Sequence, residues 1–141
     1  MVAYLDSSVI LRHILLGEAS IRHALACPTV VSSELTEIEC RRVIHRYRMD
    51  GHLDDQGFVT ATGRLGDVLG GLSSLSLSQK VKNRAMAAFP VTVKTLDALH
   101  LASAAVFADA RPDETLLIFS HDHAMNRCAA ALGFAAPLAT G

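Results

Sequence analysis

The sequence predicts an α/β protein of three layers, α/β/α, in which helices cover both faces of a central parallel sheet. Short apolar runs typical of buried strands alternate along the chain with longer segments of helical character. Polar turns stand directly between these runs and the following helices, as they do at the carboxyl edge of an open parallel sheet. Because 141 residues suffice for one core, we expect a single domain over residues 1–141.

The composition fits a globular protein and excludes several other classes. Half of the residues are hydrophobic and 19 % are charged, a balance that disfavours disorder. The net charge of −1 gives no overall attraction to nucleic acid, although a local basic patch is compatible with it. Three cysteines without a C-x-x-C pair fit reduced thiols. With no signal peptide and no apolar run long enough to span a membrane, we expect a cytoplasmic protein.

The first half of the chain predicts two strand–helix units followed by a weak helix. Ser33 follows the second strand and can cap the helix after it. Residues 53–72 are weakly helical, because each of their five glycines lowers helix stability by about 1 kcal/mol relative to alanine. The predicted elements are strands over 2–5 and 29–32 and helices over 9–16, 19–26 and 34–50.

The second half contains the most apolar helix of the chain, over 95–108. Asp97 is the only acidic or basic residue between Lys94 and Asp109, so this helix is expected inside the protein, with Thr95 as its N-cap. The other predicted elements are a strand or loop over 73–78, a helix over 79–89, a strand over 115–119, a helix from 123 to about 132 with Gly133 as its C-cap, and an edge strand over 134–138.

Four carboxylates lie where this topology places them near one another. Asp6 and Asp122 each follow a strand, and right-handed crossovers bring the carboxyl ends of parallel strands to one edge. Glu39 and Asp97 lie early on helices that begin at that edge. Carboxylates this close raise each other's pKa unless a cation intervenes, and an all-oxygen site suits Mg²⁺ or Mn²⁺. Such ions activate a water and stabilise both oxygens of an in-line phosphodiester displacement.

Three of these acids also have a purely structural interpretation. Asp6 is suited to cap the first helix, and Asp97 to complement the dipole of its own helix. Glu39 can form a surface ion pair with Arg42 or Arg46, which contributes little to stability. Only the joint placement of the four acids favours a shared site.

Basic and imidazole side chains surround the candidate site in the sequence. Arg42 and Arg46 belong to the densest basic cluster, which is either a solvated helix face or a surface that binds nucleic-acid phosphates. A second basic group occupies residues 80–84. His100 is either a core histidine or a side chain that contacts the site from behind. His121 and His123 either join the metal or the RNA or are solvated turn residues, and we expect the second.

Four short segments contain these acids: V-A-Y-L-D-S-S at 2–8, S-x-L-T-x-I-E-x-x-R at 33–42, T-L-D-A-L-H-L-A at 95–102, and F-S-H-D at 119–122 followed by A-A-x-L-G at 129–133. In order and spacing they resemble the four acidic motifs of the PIN domain, and the chain length matches the VapC toxins of bacterial toxin–antitoxin pairs. The third motif is the most specific of the four. The resemblance covers essentially the whole chain and implies a PIN-like fold.

The resemblance also implies an activity and partners. It implies an endoribonuclease that depends on Mg²⁺ or Mn²⁺, a homodimer, and inhibition by a small VapB-type antitoxin. Two departures stand out: Lys94 replaces an arginine common before the third motif, and His121 precedes the last acid, where Tyr, Phe or a small residue is usual. The tetrad that would hold the ion and carry catalysis comprises Asp6, Glu39, Asp97 and Asp122.

Other classes of protein fit the sequence less well. A non-catalytic PIN-like module that binds RNA or acts as a scaffold is the main alternative, which the presence of all four acids disfavours. Helical metal phosphohydrolases carry a His–Asp pair on helices, whereas His121 and Asp122 follow a strand. A phosphatase with an aspartate nucleophile needs a second Asp where Ser8 stands, and no G-x-S-x-G turn of an esterase is present.

Overall fold

The computed structural model describes residues 1–140 and contains a four-stranded sheet between two layers of helices. The strands are β1 (Val2–Leu5), β2 (Thr29–Ser33), β3 (Ser73–Leu75) and β4 (Leu116–Phe119). All of them run parallel, in the spatial order β3-β2-β1-β4, with β1 paired to β2 on one side and to β4 on the other. The predicted three-layer α/β/α class is therefore confirmed.

Seven helices of the described chain connect and cover the strands. None of those within residues 1–140 is long and apolar enough to cross a membrane. They are α1 (Ser7–Leu16), α2 (Ile21–Leu25), α3 (Leu35–Met49), α4 (Asp55–Gly70), α5 (Gln79–Ala85), α6 (Thr95–Ala110) and α7 (His123–Ala131).

The central strand divides its side chains between two cores, one on each face of the sheet. Because successive residues of a strand point to opposite faces, Ala3 and Leu5 pack against the layer of α1 to α4. Val2 and Tyr4 pack on the other face against α6 and α7. All four side chains are fully buried, which explains why β1 is a continuous apolar run.

The most apolar helix of the sequence, α6, packs inside the protein as predicted, and its central part around Leu101 is buried. Leu101 is inaccessible to solvent, and the small residues after it allow close packing against the sheet and α5. The predicted cap is wrong: the helix begins at Thr95, and Lys94 occupies the N-cap position without a side-chain hydrogen bond.

Several predicted boundaries differ from the structure. The second helix is limited to Ile21–Leu25, and α5 ends at Ala85 rather than near 89. The edge strand predicted over 134–138 is reduced to a single bridge between Ala135 and β4. Gly133 follows α7 with a φ of 93°, a left-handed conformation that suits the predicted C-cap.

The glycine-rich segment forms a regular sixteen-residue helix, α4, capped by Asp54. Three of its glycines, at positions 63, 66 and 70, have open space where a Cβ would stand, so tight packing does not account for them. The helix is stabilised instead by its opposite face, which buries Ala61, Leu65 and Val68 in the core.

Replacing Leu101 with alanine is expected to lower the free energy of unfolding by about 2–5 kcal/mol, because it leaves a cavity in a closed core. Leu96 on the same helix is 47 % exposed and provides the control, since its replacement with alanine should cost less than about 0.5 kcal/mol. Urea denaturation of both variants measures the two values, and equal losses would contradict the burial of α6.

Candidate metal centre

The first acid, Asp6, follows β1 and is only 4 % exposed. It is the N-cap of α1, as its structural interpretation predicted. Its Oδ1 accepts hydrogen bonds from the backbone N–H of Ser8 at 3.0 Å and from the Ser8 hydroxyl at 2.6 Å. Its Oδ2 accepts from the Ser120 hydroxyl at 2.5 Å. Burial raises the pKa of Asp6, and the hydrogen bonds from Ser120 and Ser8 oppose that rise.

Ser120 connects Asp6 to the turn that carries the fourth acid. Its hydroxyl donates to Asp6 and accepts from the backbone N–H of Asp122 at 2.9 Å. Its carbonyl accepts from the Asn126 side-chain amide at 2.9 Å. Sequence reasoning did not single out Ser120, although its place between β4 and Asp122 was the available signal.

Asp122 occupies the same kind of position as Asp6, one strand away. It is the N-cap of α7, and its Oδ1 accepts from the backbone N–H of Met125 at 2.8 Å. Unlike Asp6, it is exposed to solvent. The pairing of β1 with β4 in register brings Leu5 opposite Phe119, so these two acids leave the sheet at adjacent points of one edge.

Asp97 lies in the first turn of α6 and is partly buried. It forms no ion pair with the part of the chain that the structure describes. Burial raises its pKa, and the negative charges of Asp122, Asp6 and, more weakly, Glu39 raise it further. Asp97 is therefore within electrostatic reach of the other three acids.

The second acid of the set in chain order, Glu39, is bound to a histidine. His100 Nε2 lies 2.6 Å from Glu39 Oε1, and the Glu39 side chain is 18 % exposed. The alternative of a surface ion pair with Arg42 or Arg46 is not observed, because α6 supplies a buried partner for Glu39 instead. His100 is also buried, which agrees with its interpretation as a core histidine.

The basic cluster of α3 divides into paired and unpaired side chains. Arg41 is bound to Glu37 and Arg48 to Asp55. Arg42 and Arg46 are exposed, and neither forms an ion pair with any residue of the range 1–140. Since they follow Glu39 by three and seven residues, they lie one and two helical turns along a similar face.

The two histidines near Asp122 differ from each other. His121 was expected to be a solvated turn residue, but it is partly buried and its Nε2 lies 3.0 Å from the Ser20 hydroxyl. Burial and then the charge of Arg12 lower its pKa. His123 is exposed at the start of α7, as expected.

The chemistry of the donor set fits a hard divalent cation. Four carboxylates, one of them buried, supply only oxygen ligands, and their mutual repulsion is the kind that a cation relieves. Within residues 1–140, however, no three His, Cys, Asp or Glu side chains lie close enough together to hold one ion. The acids thus follow elements that lead to one edge of the sheet, without forming a group at metal-binding distance among the described residues.

The family model of the PIN domain matches residues 3–130, so the chain belongs to the PIN domain family. This confirms the family predicted from the four acidic motifs. No curated protein matches the chain significantly.

Three solved structures share the fold at low sequence identity. A chain of a toxin–antitoxin complex from Klebsiella pneumoniae has 19 % identity and a TM-score of 0.61, with 93 % of this chain and 92 % of that chain covered. VapBC2 from Rickettsia felis, bound to a DNA fragment from its promoter, has 12 % identity and a TM-score of 0.66, with coverage of 96 % and 97 %. PAE2754 from Pyrobaculum aerophilum has 18 % identity and a TM-score of 0.62, with coverage of 95 % and 81 %.

The variant Asp97→Asn is expected to be more stable than the wild type without metal, by a margin that grows with pH. At pH values well below about 4 the carboxyl is protonated in both folded and unfolded chains, so the proteins differ least there. As pH rises through the raised pKa of Asp97, the folded wild type must hold an unfavourable negative charge and loses stability.

Urea denaturation in EDTA between pH 4 and 7 measures this margin. Asp113→Asn, at an exposed position after α6, is the control and should show no such growth with pH. A stability difference between Asp97→Asn and the wild type that shrinks as pH rises would contradict the position of Asp97 among other negative charges.

Proposed function

We propose that the protein is an endoribonuclease that requires Mg²⁺ or Mn²⁺. The observation that carries the proposal is geometric: the Ser120 hydroxyl donates to the buried Asp6 and accepts from the backbone N–H of Asp122, so two of the four acids meet at one edge of the sheet. The raised pKa of Asp97, caused by burial and then by Asp122 and Asp6, agrees with this placement. Membership of the PIN domain family supports the same conclusion, because all four acidic motifs of that family are present. In this proposal Asp6, Glu39, Asp97 and Asp122 hold the ion and form the catalytic site.

The four acids would have different roles in binding the ion, because their surroundings differ. When bound, the ion would supply a nucleophilic water at neutral pH and neutralise charge that develops on the phosphodiester. Asp6 is held by hydrogen bonds on both oxygens and is the fixed member of the site. Asp97 is free of ion pairs within the described chain and can turn toward a ligand. Arg42 and Arg46 would neutralise phosphates beside the cleavage point.

The biological role that we propose is that of a VapC-type toxin. Two of the structures that share the fold come from toxin–antitoxin assemblies, and the sequence motifs resemble the same class. A single PIN domain over 1–141, a homodimer, a small VapB-type antitoxin and a cytoplasmic location follow as parts of this proposal. The substrate is cellular RNA.

Asp97→Asn is expected to abolish RNA cleavage without unfolding the protein, because the variant keeps the shape of the side chain and removes its charge. We expect the rate of cleavage to fall about a hundredfold or more, since replacing a metal ligand should cost at least as much as replacing a residue that only orients a ligand. Cleavage of a labelled single-stranded RNA in Mn²⁺ gives the rate, and Mn²⁺ calorimetry on the same samples gives the affinity. Asp113→Asn is the matched control and should cleave normally.

Two outcomes would contradict the nuclease. Full cleavage by Asp97→Asn would remove the assigned site. A wild type that binds RNA but neither cleaves it nor takes up Mn²⁺ would favour the non-catalytic RNA-binding or scaffold module.

Arg46→Ala is expected to weaken RNA binding and to flatten its dependence on salt. If Arg46 contacts one phosphate of a single strand, the slope of log K against log salt should fall by about 0.7. The measurement uses the Asp97→Asn protein, so that the RNA stays intact, with anisotropy at several salt concentrations. Arg41→Ala is the control, because Arg41 is already bound to Glu37. Equal effects of both substitutions would dismiss a specific role of Arg46.

A further inference from the structure

The buried imidazole of His100 connects α6 to β1 and α3 through hydrogen bonds next to the candidate site. His100 on α6 is 1 % exposed, and both of its ring nitrogens have partners. Nδ1 lies 2.8 Å from the Tyr4 hydroxyl on β1, and Nε2 lies 2.6 Å from Glu39 Oε1 on α3. The Tyr4 and His100 rings meet edge to face at a centroid distance of 5.9 Å. No other contact in the described chain engages the Glu39 carboxylate.

The donor at the Glu39 contact follows from the chemistry of the three groups. A carboxylate only accepts hydrogen bonds, so a lone pair on Nε2 facing Oε1 at 2.6 Å would be repulsive. The Tyr4 phenol carries its proton at neutral pH and can donate it to Nδ1. Whether or not Nδ1 also carries a proton, Nε2–H is the donor to Glu39.

This contact engages only one carboxylate oxygen of Glu39 and leaves the other available to a ligand. Oε1 is bound to the rigid, buried ring, and no hydrogen bond from the range 1–140 engages Oε2. A glutamate side chain has several rotatable bonds, and fixing them beforehand lowers the entropic cost of binding a ligand. The ring is itself held by Tyr4 on the central strand, so the orientation of Glu39 is tied to the sheet.

We propose that His100 is a positioning residue. Its Nε2–H holds Oε1 of Glu39 at the edge of the sheet where the four acids lie, which leaves Oε2 of Glu39 available to a divalent cation. The proposal rests on the proposed metal-dependent function and extends it to a residue that contacts neither ion nor RNA. Removing the donor should weaken Mn²⁺ binding by about 10–100-fold, the usual range for groups that orient a metal ligand.

Two variants of His100 separate positioning from packing. In His100→Gln the terminal amide can stand near the place of Nε2 and donate to Glu39, whereas in His100→Asn the shorter side chain reaches only the place of Nδ1. Tyr4→Phe removes the phenol alone. Mn²⁺ calorimetry and thermal unfolding are measured on all three variants and on the wild type. Nitrogen-15 NMR of the wild-type imidazole without metal reports which ring nitrogen carries the proton.

The proposal predicts a protonated Nε2 in the metal-free wild type. It also predicts that His100→Asn loses Mn²⁺ affinity by the stated factor while His100→Gln stays closer to the wild type, at similar melting temperatures. Affinities of His100→Asn equal to the wild type, equal losses in both variants, or an unprotonated Nε2 would overturn it. A wild type with protonated Nε2 that binds no Mn²⁺ overturns the proposed function and its metal-positioning role together, whereas wild-type binding that His100→Asn retains overturns this inference alone.

Discussion

The burial of a carboxylate at the end of the central strand is the constraint on which the candidate site depends. Asp6 is almost inaccessible to solvent, and a charge in such a place is tolerated only when donors surround it. Ser8 supplies donors from the following helix, and Ser120 supplies one from the neighbouring strand end. The hydrogen bonds that satisfy Asp6 therefore also determine where the turn of Asp122 lies.

The other two acids reach the same edge by different means. Asp97 is positioned by its helix, because it lies in the first turn of α6, directly before the part of that helix that is buried in the core. Glu39 is positioned by a single side-chain contact with His100. Together they concentrate negative charge at one edge of a protein whose net charge is only −1. Such a concentration is unfavourable for folding, and unfavourable charge of this kind is typical of functional sites.

The sequence predicts the layers of the fold well, because its strongest signals are local. Continuous apolar strands such as 2–5 and a helix that is apolar all round leave few alternatives to a covered parallel sheet. The weaker elements were uncertain for physical reasons. The strand Ser73–Leu75 pairs with a neighbour on one side only and contains few apolar residues. The helix α4 is stabilised by its buried face, whereas its glycines lower the helix propensity that the sequence shows.

The candidate site was predicted only in part. The four acids stand in local motifs, so their approach to one edge follows from topology. The contacts that orient them do not, because Ser120 lies 114 residues from Asp6, and His100 lies 61 residues from Glu39. No local pattern reports such pairs. Because only local neighbours are visible in a sequence, the sequence offers Arg42 as a partner for Glu39. In the tertiary structure the partner of Glu39 is His100.

If the four acids share one electrostatic environment, a divalent cation should relieve the repulsion between them. Carbon-13 NMR titration of the Asp97 carboxyl, with and without Mg²⁺, measures this relief. We expect a pKa above the ordinary value for aspartate in the metal-free protein and a clear fall when Mg²⁺ is added. An ordinary pKa without metal, or a raised pKa that Mg²⁺ leaves unchanged, would contradict this expectation.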